Sequence, residues 1–270
     1  MRDDFWKITQ FWKYPKLRNA VFIEGLPGIG NVGKVAVDFL IDELKAKKLF
    51  EITSYTFPHS VFVNEDNLVE LPIVEVFYKQ MGSKRDIILL GGDVQPIDEV
   101  SSYEFSEKIL DLAQKLNVKE VITLGGIGLG DIPKKPKVYC TGNSKKIISK
   151  YKSHLVNTNI YGVVGPIVGV SGLLTGLAGR KNIPAITLLA ETFGHPSYLG
   201  IKGARNILKV LKEQLKLNLK LSDLDEEVNE IEQEIAKRTS QVADINKIAR
   251  KKQFVPPLHS VEEDDTAYIG

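Results

Sequence analysis

The sequence VFIEGLPGIGNVGK, at residues 21–34, passes from a strand pattern through a glycine-rich turn into a helix pattern. Val21, Phe22 and Ile23 predict a short buried strand, and the glycines and proline after them favour a tight turn. From residue 32 to 44, apolar side chains recur every three or four positions. This spacing predicts an amphipathic helix that packs back onto a sheet, as in α/β proteins.

Two phosphate-binding patterns overlap in this turn. Residues 28–33 fit G-x-G-x-x-G, but the next predicted strand ends near Phe57 without the acidic residue that would bind a ribose. Residues 28–34 fit the Walker pattern until Val35, where a hydroxyl that binds Mg²⁺ is expected. Close packing of helix on strand is the alternative explanation for the glycines. We therefore expect no cofactor here.

The composition excludes several classes of protein. A chain of 270 residues with 43% hydrophobic content can bury one α/β core with an appendage. Apolar runs are too short for a membrane span, and the N-terminal pattern is not that of a signal peptide, so we expect a cytoplasmic protein. The net charge is only +2 and the charges are interspersed, so the sequence shows no basic patch of the kind that binds nucleic acid. The single cysteine, Cys140, excludes an internal disulfide.

Strand and helix patterns alternate along the rest of the core. Strands are predicted at 51–57, 61–63, 71–78, 86–92, 120–126, 138–141, 160–164 and 185–190, and helices at 100–116, 169–179 and 204–217. The continuous apolar runs at 86–92 and 120–126 end in glycines, as do central strands of parallel sheets. The predicted fold class is α/β, with a mainly parallel open sheet flanked by helices.

The first 14 residues contain six large apolar side chains, which we expect to cover the core or a partner subunit: Phe5, Trp6, Ile8, Phe11, Trp12 and Tyr14.

Candidate catalytic residues are few. Ser171 lies in GVSGL, which departs from the G-x-S-x-G nucleophile pattern, so we predict a packing role. Glu191 and His195 share one predicted loop and could form an acid–base pair. The alternative is a glutamate that caps the next helix and a histidine in a turn. The four histidines have no metal-binding spacing, so we predict neither a metal site nor an enzyme: His59, His154, His195 and His259.

A heptad pattern follows the core. Apolar residues recur in steps of three and four: Leu221, Leu224, Val228, Ile231, Ile235, Val242, Ile245 and Ala249. This pattern predicts a coiled-coil-like helix of about 44 Å, and packing against the core is the alternative. Pro256 and Pro257 end any helix, and residues 251–270 read as a flexible tail. The predicted domains are 1–220, the core; 221–250, the heptad helix; and 251–270, the tail.

Five motifs, in order, resemble those of the archaeal relatives of the eukaryotic proteasome assembly chaperones. They are GLPGIGNVGKVA at 25–36, GGDVQP at 91–96, TLGGIGLG at 123–130, GPIVGVSGLLTGLA at 165–178 and LLAETFGHPSYLGIKGA at 188–204. The resemblance implies a three-layer core shaped like that of nucleoside phosphorylases, without their catalysis, and a homo-oligomer, in particular a tetramer. With the long helix and tail, it also implies an ATP-independent proteasome activator.

The resemblance gives the tail a role. Activators of this kind carry a hydrophobic-Tyr-any motif that enters pockets of the 20S proteasome α-ring and opens its gate. Ala267, Tyr268 and Ile269 match this motif in order, and Gly270 extends it by one residue. The implied function is α-ring binding, for activation or for assembly. The alternative is an enzyme that binds a nucleoside or nucleotide through the glycine loops.

Overall fold

The computed structural model describes residues 5–82, 85–222 and 224–226. The described residues up to Leu224 belong to one compact unit. Its strands are β1 (Trp6–Gln10), β2 (Val21–Glu24), β3 (Lys47–Ser54), β4 (Phe62–Val63), β5 (Val69–Glu70), β6 (Val74–Lys79), β7 (Ile87–Gly92), β8 (Glu120–Leu129), β9 (Val138–Gly142), β10 (Val156–Asn157) and β11 (Ala185–Phe193). Its helices are α1 (Val32–Glu43), α2 (Glu99–Lys115), α3 (Lys145–Tyr151), α4 (Val170–Arg180) and α5 (Ile201–Gln214), with a 3-10 turn at Ile29–Asn31 before α1. None of the described helices is long and apolar enough to cross a membrane.

One mixed sheet forms the core, in the order β1-β3-β6-β7-β2-β8-β11-β9-β10. Its four central strands, β7, β2, β8 and β11, are parallel to their neighbours within this group. The pairs β1–β3, β3–β6, β6–β7 and β9–β11 are antiparallel. The α/β class is therefore confirmed, whereas the expectation of a mainly parallel sheet is corrected to a mixed one.

Connection length explains part of this difference. Parallel neighbours need a crossover of a dozen or more residues, usually a helix. Only residues 80–86 separate β6 from β7, too few for a crossover, so the two strands form an antiparallel pair. By contrast, α2 lies between β7 and β8 and brings the chain back in the parallel direction.

The helices lie on both faces of the sheet. The helices α2 and α4 contact each other and pack on the face that carries Phe22, Ile88 and Leu90. On the opposite face α1 packs near Gly91 and contacts α5. The predicted three-layer arrangement is thus present. A buried cluster of hydroxyls also fixes α4 to the sheet, because Thr175 lies 3.1 Å from Thr123 and 2.8 Å from Thr187.

Several predicted elements differ from the structure. The chain forms no strand at 160–164, where Tyr161 and Val164 make an isolated bridge. The prediction ended β8 at the glycines, but the strand runs through them to Leu129. In the same way β11 continues through Glu191 to Phe193. The helix α3 and the short strand β10 were not predicted.

Candidate functional site

A cleft of about 460 Å³ opens where the carboxyl ends of the central strands meet. The turn after β2, the end of β8, the first turn of α4 and residues 163–168 line it. Among the described residues, its polar side chains are Gln95 and Ser171, and the remaining lining is apolar side chain and glycine backbone. Ligands of open α/β sheets bind at this edge, so the cleft is the candidate site.

Three glycines in or beside the cleft pack closely against the backbone of neighbouring segments. A Cβ atom on Gly33 would lie 2.5 Å from the carbonyl oxygen of Leu124, closer than any side chain allows. A Cβ on Gly25 would overlap the carbonyl of Gly33, and one on Gly126 would overlap that of Ile29. These positions join the turn after β2 directly to α1 and β8. Close packing therefore accounts for their glycines without a ligand.

The two remaining features of the phosphate patterns also have partners within the protein. Gly30 has a positive φ of 60°, and its carbonyl accepts a hydrogen bond of 2.7 Å from the backbone of Gly200. Lys34, at the Walker lysine position, donates to the carbonyl of Gly92 at 3.1 Å and pairs with Asp38 at 3.1 Å. The lysine is thus held at the end of β7.

Gln95 connects three segments around the cleft. Its amide nitrogen donates to the carbonyl of Pro27, and its amide oxygen accepts from the backbone N–H of Val170 at 3.1 Å. The second bond caps the first turn of α4, whose N-cap residue Gly169 offers no side chain. Gly169 also has a φ of 97° and sits against the Gln95 side chain. Gln95 is therefore a positioning residue for the cleft.

Glu24, at the end of β2, is a buried carboxyl group beneath the cleft. It is fully buried, and its Oε1 accepts from the backbone N–H of Leu26 at 3.0 Å. Its Oε2 has no hydrogen-bond partner among the described residues. Burial raises the pKa of Glu24 to about 7, against a smaller opposing effect of the hydrogen bond from the Leu26 N–H. The group is thus poised between its neutral and charged forms near neutral pH.

Ser171 lines the cleft from the first turn of α4. Its Oγ donates to the carbonyl of Leu124 at 3.3 Å, so the hydroxyl links α4 to β8. The residue is half-buried. This contact is consistent with the predicted packing role.

The pair Glu191 and His195 does not form the predicted arrangement. Glu191 lies in β11, where its carboxylate accepts from the Tyr139 hydroxyl at 3.1 Å and the Lys137 backbone N–H at 2.9 Å. The alternative, that Glu191 caps the next helix, is wrong, because the N-cap residue of α5 is Gly200 and no side chain caps the helix. His195 is exposed in a turn, where its Nδ1 accepts from the backbone of Ser197 and its ring stacks on Phe193.

The described residues contain no cluster of histidine, cysteine and carboxylate side chains that could hold a metal ion. Cys140 lies buried in β9, and burial raises the pKa of its thiol to about 11. His259 and the predicted docking residues lie outside the described residues: Ala267, Tyr268, Ile269 and Gly270. Of the heptad positions, the structure describes Leu221 and Leu224, and Leu224 is buried.

Two residues of the site, Glu24 and Gln95, were not predicted from the sequence. Glu24 follows a run of three strand formers and precedes Gly25. An acidic residue at the buried end of an apolar strand is a pattern that could have identified Glu24 as a candidate site residue. Gln95 lies in the GGDVQP motif, but its role depends on contacts with residues 68 and 75 positions away. Local patterns do not show such contacts.

Comparisons with known proteins agree on one family. The model of the PAC2 family matches residues 22–239. An uncharacterised protein of Methanocaldococcus jannaschii, MJ1210, is 34% identical over 255 residues, which cover 94% of this chain and 93% of that protein.

Two solved structures from Pyrococcus furiosus are also similar. PbaB, described as an archaeal proteasome activator, superposes with a TM-score of 0.79 at 33% identity, covering 87% of this chain and 98% of PbaB. PbaA, described as an archaeal homolog of proteasome-assembly chaperone, gives a TM-score of 0.70 at 26% identity, covering 91% of this chain and 97% of PbaA.

Proposed function

The chain belongs to the PAC2 family, and from this we propose that it is an ATP-independent protein that binds the α-ring of the 20S proteasome. The observation that carries the proposal is the similarity to PbaB along nearly all of that protein, at 33% identity. Binding either opens the gate of the cylinder or assists its assembly.

The proposed docking element is the end of the tail, Ala267, Tyr268, Ile269 and Gly270. Tyrosine suits this task because a rigid aromatic ring with one hydroxyl fills a pocket at low entropic cost. A tail of 20 residues has a root-mean-square reach of about 25 Å when flexible. The tail can therefore search for a pocket over a distance comparable to a small domain.

A homo-oligomer, proposed here as a tetramer, presents several tails at once. After the first tail docks, each further docking event is intramolecular and benefits from a high effective concentration. Weak single contacts can then sum to useful binding, even though Gly270 moves the terminal carboxylate by up to about 3.5 Å from the position that a strict motif would give it.

The peptidase activity of the cognate 20S proteasome on a short fluorogenic peptide tests this proposal. We expect the intact chain to stimulate cleavage, and Tyr268→Ala and a chain that ends at Asp265 to lose most of the stimulation. Tyr161→Ala is the matched control, because Tyr161 is fully exposed in the core unit. Equal stimulation and equal co-sedimentation by all four proteins would exclude the tail as the docking element.

The choice between activation and assembly needs a second readout. An assembly factor accelerates the formation of cylinders from separated α and β subunits, whereas an activator changes the activity of finished cylinders. We therefore propose to follow both with the same Tyr268→Ala variant. If Tyr268→Ala loses its effect on cylinder formation alone, the tail acts in assembly. If the variant loses its effect on finished cylinders alone, the tail acts in activation.

The alternative, a nucleoside- or nucleotide-binding enzyme, depends on the cleft at the strand ends. Two of its glycines, Gly33 and Gly126, already pack against backbone, and among the described residues no charged side chain lines it. We expect calorimetry to detect no micromolar binding of ATP, AMP, adenosine or phosphate. Binding that Gln95→Ala weakens would instead favour the alternative, because Gln95 holds the cleft together.

A further inference from the structure

Strand β1 lies at one edge of the nine-stranded sheet and pairs on one side with β3. Its sequence, WKITQ, is followed by an aromatic segment that the core does not cover. Trp6 is buried against Phe57 and Phe105, as the expected core-covering role requires. The side chain of Ile8 is 43% exposed. The strand is thus anchored at its start, and no described residue pairs with its outer edge.

The hydrogen-bond register shows which backbone groups face outward. Phe11 donates its N–H to the carbonyl of Leu49 at 3.0 Å, so Phe11 faces β3 through its backbone groups. Thr9, which lies two residues before Phe11 and opposite Glu51, faces β3 in the same way. In an antiparallel pair, hydrogen-bonded residues alternate with residues whose N–H and C=O point the other way. Ile8 and Gln10 are the alternate residues, so their backbone groups point away from β3.

Apolar side chains surround this open edge. Four aromatic residues beside or within the segment are 44–61% exposed: Phe5, Phe11, Trp12 and Tyr14. On the α2 side, a groove of about 720 Å³ begins at Phe5 and Trp6, and the half-exposed Val100 and Tyr103 lie in its wall beside charged residues of α2. An open strand edge with apolar surroundings is a template for pairing with another strand.

We propose that a second copy of this chain docks on this edge, with its own β1 antiparallel to the first and Ile8 opposite Ile8 at the two-fold axis. The strand is self-complementary in this register, because the central Ile8 pair exchanges two N–H···O bonds between identical residues. Lys7, the one charge in the strand, then lies opposite Thr9 rather than another lysine. The pairing also closes both edges at once, whereas a one-sided contact would leave an edge open.

The available surface agrees with an interface of this kind. At about 200 Å² for each aromatic side chain, the exposed parts of the four aromatic residues amount to about 400 Å². A stable interface buries roughly 800 Å² per partner. The backbone of β1, Ile8 and the wall of the α2 groove can supply the remainder. This interface is independent of the heptad helix and of proteasome binding.

The first experiment removes the outward N–H of Ile8. Ile8→Pro deletes this donor and leaves the bonds of Thr9 and Phe11 to β3 in place, since proline is accepted in edge strands where its nitrogen faces outward. We expect light scattering on the full chain to give half or less of the wild-type mass. Ile8→Thr, which keeps the N–H and a β-branched side chain, is the matched control and should keep the wild-type mass.

The second experiment tests the register directly and does not depend on proline. Opposite residues of a hydrogen-bonded pair have Cα atoms about 5.5 Å apart, within the range of a disulfide. Ile8→Cys should therefore give a covalent dimer under mild oxidation. Lys7→Cys should not, because its thiols lie two residues out of register, roughly 7–8 Å or more apart. The buried Cys140 gives little background.

A monomeric wild-type chain would overturn the proposal. So would a folded Ile8→Pro variant of unchanged mass, or an Ile8→Cys chain that links no better than Lys7→Cys. If Ile8→Pro fails to fold, the comparison of the two cysteine variants decides alone.

Discussion

Replacing Glu24 with glutamine should make the stability of the chain less sensitive to a rise in pH from about 4.5 to about 7. The wild-type carboxyl is fully buried, and burial raises its pKa from the ordinary 4.5 to about 7. Glutamine has nearly the same shape, keeps an oxygen to accept from Leu26 and does not ionise. Glu24→Gln therefore removes the titration and leaves most of the packing unchanged.

The sign and size of the effect follow from proton linkage. Below the ordinary pKa, Glu24 is neutral in both the folded and the unfolded chain and costs nothing. As pH rises toward the folded pKa, the Glu24 carboxyl ionises in the unfolded chain but stays neutral in the folded chain. The folded state therefore loses stability relative to the unfolded state. At about 1.36 kcal/mol per pKa unit, the wild-type loss between pH 4.5 and pH 8 is about 3 kcal/mol. The loss levels off about one pH unit above the folded pKa of about 7.

Urea unfolding at pH 4.5, 6 and 8 measures this difference. The free energy of unfolding of Glu24→Gln minus that of the wild type should rise by about 3 kcal/mol across the series, because all other titrations cancel in the subtraction. A difference that is constant with pH would refute the argument, since it would mean that Glu24 has an ordinary pKa in the folded chain.

Glu120 provides a control of opposite sign. Burial by itself would raise its pKa, but hydrogen bonds from Lys150, Tyr151 and Arg85 outweigh burial and hold the pKa below its usual range. The stability that this group contributes is present above the unfolded pKa and is lost as pH falls through the folded pKa. Glu120→Gln should therefore destabilise the chain at neutral pH, and by less in acid.

Two further changes test the packing of the core and the role of the heptad pattern. Gly33→Ala should destabilise the chain by roughly 2 kcal/mol or more in thermal melts, because the added Cβ would press on the carbonyl of Leu124. Gly130→Ala is the control and should be nearly neutral, because no atom lies within 4 Å of the Cβ that it adds. A chain that ends at Glu226 keeps Leu221 and the buried Leu224 but lacks the six predicted heptad positions from Val228 onward. We expect light scattering to give a smaller mass for this chain, and an unchanged mass would mean that the removed segment makes no oligomer contact.

Periodic segments were predictable because their packing follows from the residues themselves. The α1 pattern placed Val32, Ala36 and Leu40 on one face, and all three are buried. The run at 86–92 predicted β7, which is buried along its length. In both cases local hydrophobic spacing and tertiary environment agree, so a single sequence is sufficient.

The end of β8 was not predictable in this way. Gly125, Gly126 and Gly128 suggested a loop, yet they pair with Leu189, Ala190 and Thr192 of β11. The small size of Gly126 is needed for the approach of the turn at Ile29, which is nearly a hundred positions away in the sequence, because a Cβ on Gly126 would overlap the Ile29 carbonyl oxygen. A glycine that permits such an approach and a glycine that forms a loop look the same in one sequence.

Strand direction and buried polar partners also depend on distant residues. The antiparallel pairing of β9 with β11 brings Tyr139 to Glu191, so a glutamate that reads as a loop residue becomes a structural acceptor. Sequence spacing alone could not distinguish this role from acid–base chemistry.

The motifs that carry the family resemblance lie mainly in contacts that build the core. Gly25 and Gly33 join β2 to α1, Gln95 joins the β7 loop to α4, and Gly126 admits the turn at Ile29. A match in these motifs therefore reports a shared fold. The proposed docking residues lie elsewhere, at 267–270, and the proposed pairing edge lies in β1. A protein could share all five motifs and lack both surfaces. A test of proteasome binding must therefore change Tyr268, and a test of the pairing of two copies through β1 must change Ile8. Substitutions at the glycine motifs would reduce either property simply by unfolding the core.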